Sequence, residues 1–249
     1  MNFVILADKR TGSTFLQEAL NSHPDIKVYD EMFIIRGAQK TGKRRGQFLF
    51  RTMKSKRKMN IKDYLDWLYN TEPDKSVGFR LMYPQDDHWH VLDVIKKSKI
   101  PIIHLKRNNF LKMIISKKTR GEFKTKPQKF APNSIISDIK NHQNKRIKFE
   151  TKILKYKNQL TVDYESMIGK TEGEKGEIKK FGAFNLKSDM KTYVSDKMAK
   201  KICNFLGVEN KPLFCNVTKK NSNNVWDYIS NKEEIEKILK RKGYGEFIK

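Results

Sequence analysis

Cysteine is nearly absent: Cys203 and Cys215 are the only two in 249 residues, too few for a disulfide framework. They read as buried thiols in a reducing compartment, with a lone disulfide or a metal site as the alternatives. Long apolar runs are missing too. No stretch approaches the roughly 18 residues that a membrane span needs. The first apolar run, Phe3 to Ala7, turns polar at Asp8 and is too short for a secretory leader. The expected location is therefore the cytoplasm. No carboxylate or cysteine set completes a metal site with His88-Trp89-His90, so no metal centre is expected. His104 lies inside an apolar run and reads as a core histidine. No serine–histidine–carboxylate set can be assembled, and no flavin or nicotinamide fingerprint is present. A Walker A loop is lacking as well: Gly37-Ala38-Gln39-Lys40-Thr41-Gly42-Lys43 comes closest, but Arg44 stands where Ser or Thr is required.

Acid is scarce against base. Lys and Arg number 53 and Asp and Glu 28, a formal net charge of +25. Such an excess favours a polyanionic partner: nucleic acid, acidic glycan, membrane surface or phosphorylated cofactor. A lysine-rich composition with no binding role would give the same number. From Arg36 to Lys62 there is no Asp or Glu at all. Like charges this dense repel one another, so the segment is either mobile or folded around an anion. No recognition-helix, RNA-binding or zinc-finger pattern turns the charge into a specific nucleic-acid reading.

What is present alternates. Apolar runs at Phe3–Ala7, Ile26–Tyr29, Val77–Met82, Ile100–Leu105 and Leu160–Tyr164 read as strands. Helical spacing follows or intervenes from Thr14, over Ile61–Tyr69, Trp89–Lys97, Asn108–Lys118 and Ile135–Tyr156, and near Ser195–Leu206 and Lys232–Lys240. This order predicts an α/β fold, one domain over 1–249 with a central parallel sheet flanked by helices. Residues 119–133 and 169–182, rich in charge with proline or glycine, are expected as flexible loops. In such sheets ligands gather beyond the carboxyl ends of the strands.

The first of those loops is Asp8-Lys9-Arg10-Thr11-Gly12-Ser13-Thr14. Gly12 allows the backbone to come close to a ligand. The first amides of the next helix, two hydroxyls and a guanidinium supply donors for a phosphate or a sulfate. Strand, Arg-x-Gly-Ser-Thr and helix together resemble the 5′-phosphosulfate loop of the sulfotransferases that use 3′-phosphoadenosine 5′-phosphosulfate (PAPS). A second element resembles that family's 3′-phosphate motif: Arg107 ends a central strand, and Ser116 follows nine residues on in the next helix. Val162-Asp163-Tyr164-Glu165 is similar to a strand-Tyr-Glu element of the family. The C-terminal pieces Phe205–Val208, Thr218–Lys220 and Tyr228–Asn231 fit its bacterial-type members. Residues 36–60 and 120–133 match no part of it.

The resemblance implies a P-loop NTPase-like sulfotransferase fold, PAPS as co-substrate, 3′-phosphoadenosine 5′-phosphate (PAP) as product, and no metal. It implies that Arg10, Thr11, Gly12, Ser13 and Thr14 hold the 5′-phosphosulfate, with Arg10 stabilising charge on the bridging oxygen as sulfate leaves. Arg107 and Ser116 would hold the 3′-phosphate; the plain alternatives are a sheet-edge arginine and an ordinary helix serine. Lys219 and Lys220 would reach the same phosphate from a C-terminal loop. Glu31, 21 residues after Arg10, takes the place of the catalytic base, with Asp30 as its competitor. Arg80 would contact the sulfate or acceptor. Arg44 and Arg45, in the acid-free run, would face an acceptor that is itself anionic, such as an acidic glycan. Two other readings stay open: a basic nucleic-acid-binding protein without catalysis, and a kinase-like phosphoryl transferase. The second lacks the Lys-Ser/Thr pair whose hydroxyl would bind magnesium.

Overall fold

Phe3–Ala7 (β1) is buried at every position, as a strand covered on both faces of a parallel sheet must be. The computed structural model describes residues 1–33, 59–119, 127–173, 179–181, 185–217 and 224–248. They form two compact units: 1–106 with 156–218, and 107–155 with 219–249. Residues 1–249 were expected as one domain.

The first unit carries five parallel strands: β1, β2 (Ile26–Glu31), β3 (Ser76–Met82), β4 (Ile102–Lys106) and β5 (Gln159–Asp163), in the order β2-β3-β1-β4-β5. Helix α1 (Ser13–Asn21) packs Leu16, Ala19 and Leu20 against Phe3, Ile5 and Ala7 on one face. On the other face, Phe79 meets Phe33, centroids 5.5 Å apart, and Tyr69 of α2 (Ile61–Tyr69) at 6.3 Å. Burial pushes the Tyr69 hydroxyl well above the usual tyrosine range, and it donates to the Phe3 carbonyl at 3.1 Å. This is the central parallel sheet with flanking helices that the alternation of apolar runs implied.

The connections set where a ligand can sit. From β1 the chain runs through α1 to the β2 edge, returns to β3 beside β1, and then crosses to β4 on the other side of β1. The reversal falls between β1 and β4, so the crevice outside their carboxyl ends is the switch point. The loop Asp8–Gly12 leaves one of those ends. Lys106 closes the other, and the chain leaves the unit at Arg107.

Two elements differ from expectation. The helix expected over Trp89–Lys97 is two helices, α3 (Tyr83–Trp89) and α4 (Val91–Lys97), parted by His90 at φ 53°. Pro84 starts α3 early, and the Asp86 carboxylate accepts from the Leu92 amide at 2.7 Å to start α4. Within 169–182, expected as a flexible connection, the described residues include β6 (Ile168–Glu172) and β7 (Lys179–Phe181). Both pair antiparallel with β8 (Asn185–Val194), which also pairs β9 (Phe214–Val217). Charge and glycine hid these strands: β6 reads Ile-Gly-Lys-Thr-Glu, and its partner contacts are Thr171 with Thr192 (3.2 Å) and Lys170 over the Tyr193 ring. After the short helix α7 (Tyr164–Met167), helix α8 (Asp196–Leu206) buries Ala199, Ile202, Cys203 and Leu206 in the α1-side core. Cys203 and Cys215 are buried and form no disulfide, and burial raises the Cys203 thiol above its ordinary range.

The second unit is helical among its described residues. Its long elements are α5 (Phe110–Lys118), α6 (Pro132–Ile153) and α9 (Lys232–Arg241), with short turns at Val225–Tyr228 and Gly245–Ile248. Leu111, Ile114, Ile139, Ile235 and Leu239 build its core. Asn231 ties residue 130 to the C-terminal region, donating to the Phe130 carbonyl at 2.9 Å and accepting from its amide at 3.0 Å.

Candidate active site

At the end of β1 the backbone turns sharply. Arg10 takes φ 68° and Gly12 φ 92°, both left-handed. For arginine that conformation is strained, the kind of distortion that persists where surroundings hold it. For Gly12 there is a second constraint. A Cβ there would lie 2.3 Å from Cδ2 of Tyr164, so the ring of the strand-Tyr-Glu element closes over the glycine. Thr11 is buried and locks the turn by donating from Oγ1 to the Asp8 carbonyl at 2.8 Å. Gly12 then serves as the N-cap of α1, whose first turn carries no acid. A helix offers its first amides no internal acceptor and places a partial positive charge there. Lys9 and Arg10 are exposed at the rim.

Arg80 completes this loop from the neighbouring strand. It stands opposite Ile5 in the β1–β3 register, and with the buried β3 side chains around it is itself 6 % exposed. One Nη donates to Thr14 Oγ1 at 2.8 Å and to Ser13 Oγ at 3.2 Å; the other donates to Asp30 Oδ1. Its Nε is buried and has no hydrogen-bond partner among the described residues. A hydroxyl oxygen that accepts from Arg80 keeps its own hydrogen for a different acceptor. Ser13 and Thr14 are thereby set as donors.

The two carboxylates reach Arg80 through a bulge. Tyr29 pairs with Phe79 and Glu31 with Arg80, so Asp30 is an extra residue in β2. Bulges re-aim side chains in this way next to functional sites. Asp30 forms the direct ion pair with Arg80 and is 59 % exposed, while the nearest Glu31 oxygen stands 4.0 Å from the guanidinium. Glu31 is instead held by Gln85, a buried residue absent from the sequence reading. Gln85 donates from Nε2 to Glu31 Oε2 at 2.8 Å and accepts the Met82 amide at 2.9 Å. The pair thus divides: Asp30 neutralises the arginine, and Glu31 is oriented by an amide with its second oxygen not bonded by Gln85. No local signal marks Gln85, because its partners come from β2 and β3.

In the second unit, Arg107 is buried and Ser116 is half-buried on α5. The turn between them is held by Arg146 of α6, also absent from the sequence reading: it donates to the Arg107 carbonyl and to Asn108 Oδ1 at 3.1 Å. Asn109 caps α5, its Oδ1 accepting from the Lys112 amide at 2.9 Å. Arg44, Arg45, Lys219 and Lys220 lie outside the described residues. The site residues that the structure brings together are therefore Arg10 to Thr14, Arg80, Asp30 and Glu31. Among the described residues no group of three or more His, Cys, Asp or Glu could hold a metal, and no helix is long and apolar enough to cross a membrane.

No protein-family model matches this chain, and no curated protein matches it. Among solved structures it is similar to a sulfotransferase from Alicyclobacillus acidocaldarius, at 11% identity and TM-score 0.41 over 99% of this chain and 95% of that one. It is also similar to the sulfotransferase domain of the Synechococcus PCC 7002 olefin synthase, at 16% identity and TM-score 0.45 over 85% of this chain and 74% of that one.

Proposed function

We propose that this chain is a sulfotransferase that moves a sulfuryl group from PAPS to an acceptor hydroxyl or amine. The observation that carries the reading is the Arg80 cluster: a buried guanidinium on β3, beside the β1 loop, that sets Ser13 and Thr14 as donors and gathers Asp30 and Glu31 beside them. Few ligands need an anion cradle with a carboxylate next to it. An electrophilic sulfate ester, attacked by a nucleophile that must lose a proton, is one.

The residues present suit such a donor. Ser13 and Thr14 hydroxyls and the α1 amides would grip the 5′-phosphosulfate, and the buried Arg80 Nε is a further donor awaiting an acceptor. Arg107 and Ser116 would hold the 3′-phosphate. The acceptor's oxygen or nitrogen attacks sulfur, the bond from sulfur to the bridging oxygen breaks, and PAP leaves carrying that electron pair. Glu31 takes the acceptor's proton, steadied by Gln85; Arg10 faces the leaving side and stabilises the charge that develops there. No metal has a role in this scheme.

The acceptor reading rests on the acid-free stretch 36–62, which follows Glu31 directly and suits an anionic acceptor such as an acidic glycan. Labelled PAPS incubated with acidic glycans, neutral glycans, lipid headgroups and tyrosine peptides tests both parts. Transfer of label to the acidic glycans, with KM raised by charge reversal at Arg44, Arg45 and Arg57, is the expected result. Turnover of ATP with magnesium and none of PAPS would replace sulfuryl by phosphoryl transfer. Salt-sensitive nucleic-acid binding with no affinity for PAPS would leave a binding protein.

A further inference from the structure

We infer that Arg146 is the positioning residue of the 3′-phosphate arm, the group that aims Arg107 without touching the ligand. The inference rests on the reading of Arg107 as a 3′-phosphate ligand.

Four consecutive residues after β4 are held at named atoms, three of them by this one guanidinium. It donates to the backbone carbonyl of Arg107 and, at 3.1 Å, to Oδ1 of Asn108. Its guanidinium carbon lies over the Phe110 ring, 4.3 Å from the centroid. The fourth, Asn109, caps α5 and donates from Nδ2 to the Phe247 carbonyl at 3.2 Å. A backbone held at its own carbonyl and at the three residues that follow leaves Arg107 little room to re-aim, and its buried side chain adds to that.

Chemistry explains why an arginine does this. Carbonyl, amide oxygen and ring face are three partners that a planar fork with several donors can serve at once, whereas an ammonium group is a point donor and does not stack. Neither partner is an acid, so the contact is geometric and not an ion pair. Fixing a ligand-binding group before the ligand arrives matters because a displacement of about 1 Å can cost on the order of 10²-fold. Arg146 reaches the turn from the middle of α6, which is why the sequence around Arg107 gives no sign of it.

Calorimetric titration of the full chain with PAP and with adenosine 5′-phosphate, which lacks the 3′-phosphate, provides the test, together with thermal melting. The wild type should bind PAP more tightly. Arg146→Lys and Arg146→Ala should each weaken PAP about tenfold, the size of one lost charged hydrogen bond, and leave adenosine 5′-phosphate unchanged. If both variants melt lower yet keep PAP affinity, or lose both nucleotides equally, Arg146 is merely structural and the inference fails. Full PAP affinity in Arg146→Lys would also overturn it, since charge alone would then suffice. Should Arg146→Ala not fold, Arg146→Lys alone decides. A wild type that binds both nucleotides alike instead sinks the assignment of Arg107 itself.

Discussion

The turns that follow β1 and β4 both present an arginine and both lead into a helix, yet they are built differently. The first is shaped by its own backbone. Left-handed Arg10 and Gly12 and the buried Thr11 make the turn, and a strand neighbour, Arg80, then arranges its hydroxyls. The second has no left-handed residue and is shaped from outside, by Arg146 grasping the Arg107 carbonyl. Backbone-built turns leave a motif in the sequence; turns held by a distant side chain leave only the residue that is held.

If that contrast is right, damage at the first turn should be the more severe. Gly12→Ala is the harshest case, because an L side chain is strained at φ 92° and its Cβ would stand 2.3 Å from Tyr164. PAPS turnover should fall about 10²-fold or more. Adding Tyr164→Ala removes the clash but not the strain, so it should restore turnover only in part. Full restoration would show that space, not backbone conformation, rules the turn. Arg80→Met comes next. It removes the donors to Ser13 and Thr14 and leaves Asp30 and Glu31 without their cation, and turnover should fall roughly 10- to 100-fold, as for loss of one or two charged hydrogen bonds. An unchanged rate would mean that the hydroxyls need no orienting.

Smaller effects sharpen the contrast further. Gln85→Leu should lower kcat about tenfold with the KM for PAPS unaltered, since it frees Glu31 without touching the anion cradle. A raised KM with normal kcat would move Glu31 from proton acceptor to binding residue. At the second turn, Asn109→Ala removes the α5 cap and the bond to the Phe247 carbonyl, which together cost about 2 kcal/mol and lower the melting temperature by about 4–8 °C at this chain length. Turnover should scarcely change. A large loss would show that the second turn depends on its own local geometry after all.

How much was legible follows the same physics. β1, β3 and β4 stood out because a parallel strand buried on both faces is a plain apolar run, as Phe3–Ala7 shows. The loop stood out because Gly12 and its neighbours are fixed by local backbone demands. The antiparallel strands β6 to β9 did not, since Lys170 and Glu172 occupy β6 where an alternating apolar face would have signalled it. The break at His90 was hidden because Asp86 and Pro84 act before and across it. Glu31 and Arg80 could be named as candidates, but not their partnership, which needs the bulge at Asp30 and the pairing of β2 with β3. Gln85 and Arg146 were invisible: a glutamine and a helix arginine gain meaning only from what folding brings beside them.

Binding of PAP to the whole chain, measured by calorimetry with Arg107→Ala as the control, tests the central claim most directly. A one-to-one complex with PAP that Arg107→Ala weakens by about 10²-fold, as expected for loss of a buried guanidinium–phosphate pair, is the predicted result. No heat with either PAP or PAPS, or an affinity for PAP that Arg107→Ala leaves intact, would contradict it.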